Sequence, residues 1–200
     1  MHGFLLFAQP WWVNLLILVP VASYACFRKG LALPVSTLVV TAVFGTAMGF
    51  VESAVVVYLR AALGMLPGSS LTPSAAQVLN AFANRLSAIE MVREAATIVM
   101  LVCVALLAAK TRRERWAIFL WTFAFWDVIY YLGLRVTIGW PSTLTTQDVL
   151  FLLPSPWFAE VWFPILVSGL CMVAVVAGKV SWSPNRVIGM QSSAEPSAGQ

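Results

Sequence analysis

The chain has 200 residues, of which 60% are hydrophobic and 10% are charged, and its formal net charge is +4. With a mean hydropathy of +0.87, it has too little polar surface to cover a soluble core, and its apolar runs have about the length that crosses a bilayer. A soluble globular domain is therefore excluded. The positive charge does not indicate nucleic-acid binding, because the basic residues lie in short loops between apolar runs. The sequence predicts an all-α integral membrane protein whose main partner is the lipid bilayer.

Five apolar runs predict five transmembrane helices within a single membrane domain, residues 1–178. The first helix follows Pro10, which suits a first helical turn; it could be kinked at Pro20, and it ends at Arg28. The Ser-, Gly- and Pro-rich residues 179–200 predict a disordered tail. The predicted spans cover residues 11–27, 34–63, 85–109, 116–136 and 156–178.

Two further helices are predicted on the outer side of the membrane. Residues 73–84 begin with a Thr-Pro cap and have apolar residues at helical spacing, which predicts an amphipathic surface helix leading into the third span. Thr145 and Asp148 have the spacing of a capping box before a short apolar run, residues 149–153. That run is too short to span, so we expect a re-entrant or interfacial helix, with Ser155 capping the fifth span.

The basic residues predict the orientation of the helices. They cluster in the first and third loops and in the tail, whereas the second and fourth connections have none outside the helix ends. Because cytoplasmic loops carry the excess of Lys and Arg, the N-terminus should lie outside and the C-terminus in the cytoplasm. We expect a multi-pass protein of the cell membrane, in a bacterium the inner membrane.

The second predicted span combines small and charged residues on one face. Gly45 and Gly49 form a GxxxG pair, and Glu52 and Arg60 continue the same stripe at helical spacing. GxxxG is most often a helix-packing motif. The glutamate on that face is the more informative feature, because a packing stripe does not require a carboxylate.

Two other predicted spans carry ionisable residues at spacings of three and four. Glu90, Arg93 and Glu94 share one face at the start of the third span. In the fourth, Asp127, Tyr131 and Arg135 form an acid–phenol–base ladder.

The predicted topology places these groups in one layer near the outer side of the membrane. A charge at the centre of a membrane helix costs roughly 2.5–3.5 kcal/mol even on lenient scales, so the groups should face protein, water or each other. We therefore predict an outward-facing polar cavity. Its candidate ligand-binding residues are Glu52, Glu90, Arg93, Glu94, Asp127, Tyr131 and Arg135.

Several interpretations of this layer remain open. It could be a structural network of ion pairs, or a site that binds, and could also transport, a small polar or charged ligand or a cation. It could also be the active site of a membrane enzyme acting on a lipid-linked or exported substrate, although no nucleophile motif or Gly-rich phosphate loop is present. The chain could instead be an accessory subunit of a larger membrane complex, or form a homo-oligomer. A cavity that reaches the cytoplasmic side would favour transport.

The metal-ligating residue types present in the sequence limit which cofactors the protein could bind. His2 is the only histidine, which argues against histidine-ligated haem, zinc or copper. Mg²⁺, Mn²⁺ or Ca²⁺ could bind to Glu90, Glu94 and Asp127, because these ions prefer oxygen ligands. The three cysteines lie in different apolar runs and are interpreted as small apolar residues.

Overall fold

The computed structural model describes residues 7–62 and 75–181, with side chains for 7–62 and 88–181. It is mostly helical, and four of its helices contain stretches long and apolar enough to cross a membrane, as expected of a multi-pass membrane protein. Those stretches are Val35–Ala62, Ala88–Ala108, Arg112–Ile138 and Trp162–Val180. The helices are α1 Leu18–Phe27, α2 Val35–Ala62, α3 Ala75–Ala108, α4 Arg112–Ile138 and α5 Trp162–Val180; the strands are β1 Ala8–Gln9, β2 Gln147–Phe151 and β3 Trp157–Glu160.

The first apolar run changes helix type partway along. Residues Trp11–Ile17 form a 3-10 helix, and the α-helix begins only at Leu18. Pro20 has no backbone N–H to donate to the carbonyl of Leu16, and its ring would crowd that carbonyl in an α-helix. The predicted irregularity at Pro20 therefore appears as a change of winding just before the proline.

The predicted short helix near residues 149–153 is wrong: the mostly helical fold contains a small sheet at this place. Residues 147–151 form β2, which pairs antiparallel with β3, and β3 pairs on its other edge with β1. The predicted capping box is not formed. Pro154 and Pro156 prevent a helix from continuing through this connection, and strand pairing satisfies the backbone instead. As a result α5 begins at Trp162, not at residue 156.

Two other predicted boundaries shift for local reasons. Helix α4 begins at Arg112 because Thr111 and Glu114 form a complete capping box. The Thr111 side chain accepts from the backbone N–H of Glu114, and the Glu114 carboxylate accepts from the backbone N–H of Thr111. The predicted surface helix is helical from Ala75, but it is continuous with the third span as part of α3. The predicted disordered tail begins at residue 179, but Lys179 and Val180 still belong to α5. The rest of that tail, from residue 182, and the predicted amphipathic side chains of residues 73–84 lie outside the described residues.

Helices α2 and α4 run in the same direction and pack at backbone contact. A Cβ placed on Gly45 would lie 2.7 Å from the carbonyl oxygen of Thr122, and one placed on Gly49 would lie 2.5 Å from that of Trp126. The contact moves four residues toward the C-terminus on both helices, so α2 and α4 are parallel. The GxxxG pair is a packing surface against α4, as its usual meaning predicts.

The helix ends collect at two poles of the bundle. At one pole, which we call the basic end, Leu31 donates to the carbonyl of Gly178 and Arg115 donates to that of Ala109. It contains the loops before α2 and α4, with their Arg and Lys residues. The three strands form the opposite pole, which we call the sheet end. α1, α3 and α5 run from the sheet end to the basic end, and α2 and α4 run back.

Candidate functional site

A cavity of about 440 Å³ lies inside the bundle. Helix α3 forms one side, the 3-10 helix, α1 and α5 form the other, and α4 forms the floor. Residues of β2 and β3 lie across its sheet end. The space exists because α3 packs mainly on α4 and little on the other helices.

The cavity brings together six of the seven predicted ligand-binding residues, and they gather toward the sheet end. They lie at one level because Glu90, Arg93 and Glu94 come early in the apolar stretch Ala88–Ala108 of α3, while the others come from the second halves of α2 and α4, which run in the opposite direction. The six are Glu52, Glu90, Arg93, Glu94, Asp127 and Tyr131.

Three of these residues form an ion-pair cluster, here called the Arg93 cluster. The guanidinium of Arg93 contacts the carboxylates of both Glu52 and Glu90, and its Nε donates to Glu90 Oε2 at 2.9 Å. Glu52 also accepts from the hydroxyl of Thr97 at 3.1 Å. Since α2 and α3 share few other contacts, the Arg93 cluster is a main link between these helices. For this part of the layer, the structural interpretation fits the geometry.

Glu94 and Asp127 differ from that cluster because neither has a cationic partner among the side chains that the structure describes. Glu94 is 8% exposed and Asp127 is 7% exposed. Glu94 Oε2 accepts from the backbone N–H of Leu152 at 2.8 Å, and Asp127 Oδ2 accepts from Ser168 Oγ at 2.8 Å. Among the side chains described, no Lys or Arg nitrogen lies within 4.0 Å of either carboxylate. Two buried carboxylates therefore line the cavity with only neutral hydrogen-bond donors beside them.

The predicted acid–phenol–base ladder on α4 does not form. Tyr131 donates to Asp148 at 2.9 Å, so its hydroxyl points to β2. Burial raises the pKa of Asp148, and the bond from Tyr131 opposes that rise. Arg135 is exposed and does not line the cavity; it donates to the carbonyls of Gly139 at 2.7 Å and Pro141 at 3.0 Å. The unpaired carbonyls beyond a helix C-terminus attract a guanidinium there, so Arg135 caps α4 and, unlike the other six predicted ligand-binding residues, does not line the cavity.

Other charged residues of the predicted layer are also engaged elsewhere. The guanidinium carbon of Arg60 lies 4.1 Å from the ring centre of Trp140, a cation–π contact. Glu160 lies in β3 and accepts from Trp162 Nε1 at 2.6 Å. The side chain of Arg85 is outside the described residues.

The cavity wall is far more apolar than predicted. Most of its other lining is aromatic and aliphatic, including Phe163 and Val167 of α5 and Phe123, Phe119 and Trp116 of α4. The cavity is therefore polar only near the carboxylates. The helical spacing of the charged residues predicted which of them share a face. It could not predict that the gap between α3 and α5 extends beyond these residues toward the basic end.

Two tryptophans of the cavity wall, Trp126 and Trp157, have indole donors without a hydrogen-bond partner among the described residues. Trp126 is buried beside Asp127 on α4. Buried polar groups usually have partners. The cavity thus carries carboxylate acceptors and an indole donor close in sequence.

The carboxylates do not assemble into a metal site. Within residues 7–62 and 88–181, no group of three or more His, Cys, Asp or Glu side chains could hold a metal ion. Glu90 is bound to Arg93, while Glu94 and Asp127 are held separately by α3 and α4. The proposed Mg²⁺, Mn²⁺ or Ca²⁺ ligand set of Glu90, Glu94 and Asp127 is therefore not brought together.

Some partners of the site were missed from the sequence. Ser168 is a single hydroxyl in an apolar helix, a pattern that usually carries no information, and the Leu152 donor is a backbone group. Ser168 and the Leu152 N–H become part of the site only because the fold brings them within hydrogen-bond distance of Asp127 and Glu94.

The site is thus a largely apolar cavity within a bundle of long apolar helices, with its carboxylates grouped toward the sheet end. Comparisons of the chain with protein-family profiles, with curated proteins and with solved structures found no match.

Proposed function

We propose that this protein binds a small polar or charged ligand through Glu94 and Asp127 at the sheet end of the cavity. The observation that carries the proposal is that both carboxylates are buried on the cavity without a cationic partner in the described chain. A buried charge without a partner is costly and is normally compensated by a counter-charge or by several hydrogen bonds. A ligand that carries donors would supply that compensation.

The chemistry of the site selects the ligand group. Ionised carboxylates accept hydrogen bonds and do not donate them. Four carboxylates line the cavity against the single guanidinium of Arg93, so its formal charge is negative. The preferred group is an amine or another cation, with a hydroxyl as the neutral counterpart. Anions should be rejected.

Transport of that ligand is the second candidate function. The cavity extends to Trp116, in the second turn of α4, near the basic end. A second cavity of about 390 Å³ lies beyond it, is lined by Arg112 and Arg115, and shares Trp116 and Phe119 with the first. Two cavities that meet at the same aromatic pair support a path toward the basic end.

The proposed membrane arrangement has five crossings, with the sheet end outside and the basic end in the cytoplasm of, in a bacterium, the inner membrane. The first crossing, Trp11–Phe27, has only 17 residues. Its 3-10 portion rises about 2.0 Å per residue and its α portion about 1.5 Å, which together extend for about 29 Å, close to the roughly 30 Å hydrocarbon core. The grouping of Arg and Lys at the basic end supports the orientation.

Cysteine labelling tests this orientation. In a variant whose three native cysteines are replaced by alanine, we expect Ser142→Cys at the sheet end to react with an impermeant thiol reagent in intact cells. We expect Ser181→Cys at the basic end to react only after the cells are opened. Both serines are exposed and both changes are isosteric, so the pair is matched. The opposite labelling pattern would reverse the topology.

Ligand binding tests the proposed site. We expect butylamine to raise the thermal unfolding temperature of the purified protein in nanodiscs, and butyrate to have no effect. Glu94→Gln and Asp127→Asn should each weaken butylamine binding by about tenfold to a hundredfold, since hydrogen bonds to charged groups contribute about 1.5–3 kcal/mol.

Glu160→Gln and Asp148→Asn are the controls, because they make the same chemical changes on residues that do not line the cavity. If butylamine binds the site variants as well as the wild type, the proposed function is wrong. If Glu94→Gln and Asp127→Asn lose stability together and neither changes binding, the layer is structural.

A further inference from the structure

We propose that the ligand of this cavity is a single-chain amphiphile, with an amine or hydroxyl head at Glu94 and Asp127 and a hydrocarbon chain along α4 toward Trp116. This inference rests on the proposed function, because it uses the same two carboxylates to place the head. It adds the chemical class of the rest of the molecule.

The polar and apolar parts of the cavity are separated along the helix axes. On α4, Asp127 lies 11 residues after Trp116, a distance of about 16 Å along the helix. Phe119, Leu120 and Phe123, which line the cavity between them, are all apolar. A small polar ligand would use the sheet end and leave this section against hydrocarbon side chains only. A hydrocarbon chain matches it.

The opposite wall shows the same division. On α3 the cavity-lining residues pass from Glu90 and Glu94 to Ile98, one turn nearer the basic end. On α5, Ser168 marks the depth of Asp127, and Cys171, which also lines the cavity, lies about one turn nearer the basic end. Because α3 and α5 run antiparallel to α4, Ile98 and Cys171 lie on the same side of the carboxylates as Phe119 and Phe123.

The size of the cavity indicates one chain. Its volume of about 440 Å³ lies in the lower part of the range of ligand pockets, roughly 300–1,000 Å³. Helix α3 makes few contacts with α1 and α5, and in the proposed membrane arrangement the gap between these helices would be the route by which a ligand enters from the bilayer. Residues of β2 cover the sheet end, and the backbone of Leu152 is bound to Glu94. Entry of an amphiphile from the bilayer is consistent with both features.

Chain-length dependence in blocked variants tests this inference. Ile98→Trp places a large ring in the apolar section below Glu94. Val99→Trp makes a comparable insertion on the adjacent residue, which is 59% exposed and does not line the cavity. Binding of butylamine and decylamine is measured in nanodiscs of one phospholipid. Because partitioning into the bilayer is common to both variants, the difference between them isolates the cavity.

We expect Ile98→Trp to weaken decylamine binding by about tenfold relative to Val99→Trp, which corresponds to the loss of about two buried methylene groups. Butylamine binding should be weakened less than decylamine binding, because its shorter chain occupies less of the apolar section. Equal decylamine binding in both would overturn the amphiphile inference while leaving the head-group site intact. Absence of butylamine and decylamine binding, or binding insensitive to Glu94→Gln, would instead overturn the proposed function.

A second measurement covers the case in which Ile98→Trp does not fold. Decylamine brominated at its terminal carbon should quench tryptophan fluorescence, and Trp116→Phe should remove part of that quenching. Trp11→Phe, which changes a residue that is 64% exposed and off the cavity, is the control. Quenching unaffected by Trp116→Phe would mean that the chain does not lie along α4.

Discussion

Replacement of Arg93 by methionine is expected to destabilise the protein by about 3–5 kcal/mol, the usual cost of removing one partner from a buried ion pair. Arg93 is the cation that binds both Glu52 and Glu90. Its loss would leave Glu52, 7% exposed, between α2 and α3 with the hydroxyl of Thr97 as its neutral hydrogen-bond donor and without its cation. Unfolding in a mixed-micelle denaturant titration, compared with wild type, measures the effect.

The control for this prediction removes the carboxylates together with the guanidinium. In the triple variant Arg93→Met, Glu52→Gln and Glu90→Gln, most of the stability should return, because replacing a whole buried ion group can be nearly neutral. Arg60→Met, which loses only the contact with Trp140, should cost less than about 2 kcal/mol. A cost below about 1 kcal/mol for Arg93→Met would mean that the cluster does not hold the helices together.

The second large effect is expected at the contact between α2 and α4. Gly49→Ala should cost about 1–3 kcal/mol, the usual penalty of overpacking, because the new Cβ would lie 2.5 Å from the carbonyl oxygen of Trp126. A backbone oxygen cannot rotate away as a side chain can, so the helices must separate. Gly49→Leu should reduce the yield of folded protein further.

Gly169→Ala is the matched control for Gly49→Ala. Gly169 also lies in an apolar helix, but a Cβ there meets nothing within 4 Å in the described structure. Replacing a helical glycine without a clash should leave stability unchanged or raise it by about 0.4–1 kcal/mol. Equal thermal stability of both alanine variants would show that α2 and α4 can adjust at Gly49.

These experiments distinguish the two roles within the charged layer. We expect substitution of Arg93 to lower stability without changing butylamine binding. We expect substitution of Glu94 or Asp127 to weaken binding while the protein stays folded. Together these results would separate the Arg93 cluster from the ligand site. This distinction between structural and ligand-binding carboxylates is useful because the sequence alone does not distinguish them.

The candidate site was predictable as a set of residues but not as a set of roles. Six of its seven predicted members line one cavity, because helical spacing and span direction bring their positions to the same level. Spacing could not predict that Tyr131 would turn to Asp148 or that Arg135 would cap α4. The partners of these two side chains depend on the position of β2 and of the loop that follows α4. No local sequence pattern describes either position.

The sequence by itself determined the apolar helices, the packing stripe at Gly45 and Gly49 and the grouping of basic loops. These features depend on hydrophobicity and on the period of a helix, which are local properties of the chain. Only the tertiary structure decided that residues 147–151 form a strand, because its partner β3 is itself held by β1, about 150 residues earlier. It also decided that Arg93 neutralises Glu52 and Glu90 but leaves Glu94 and Asp127 unpaired. An ion pair depends on where side chains from different helices meet, and that position is set by the packing of whole helices.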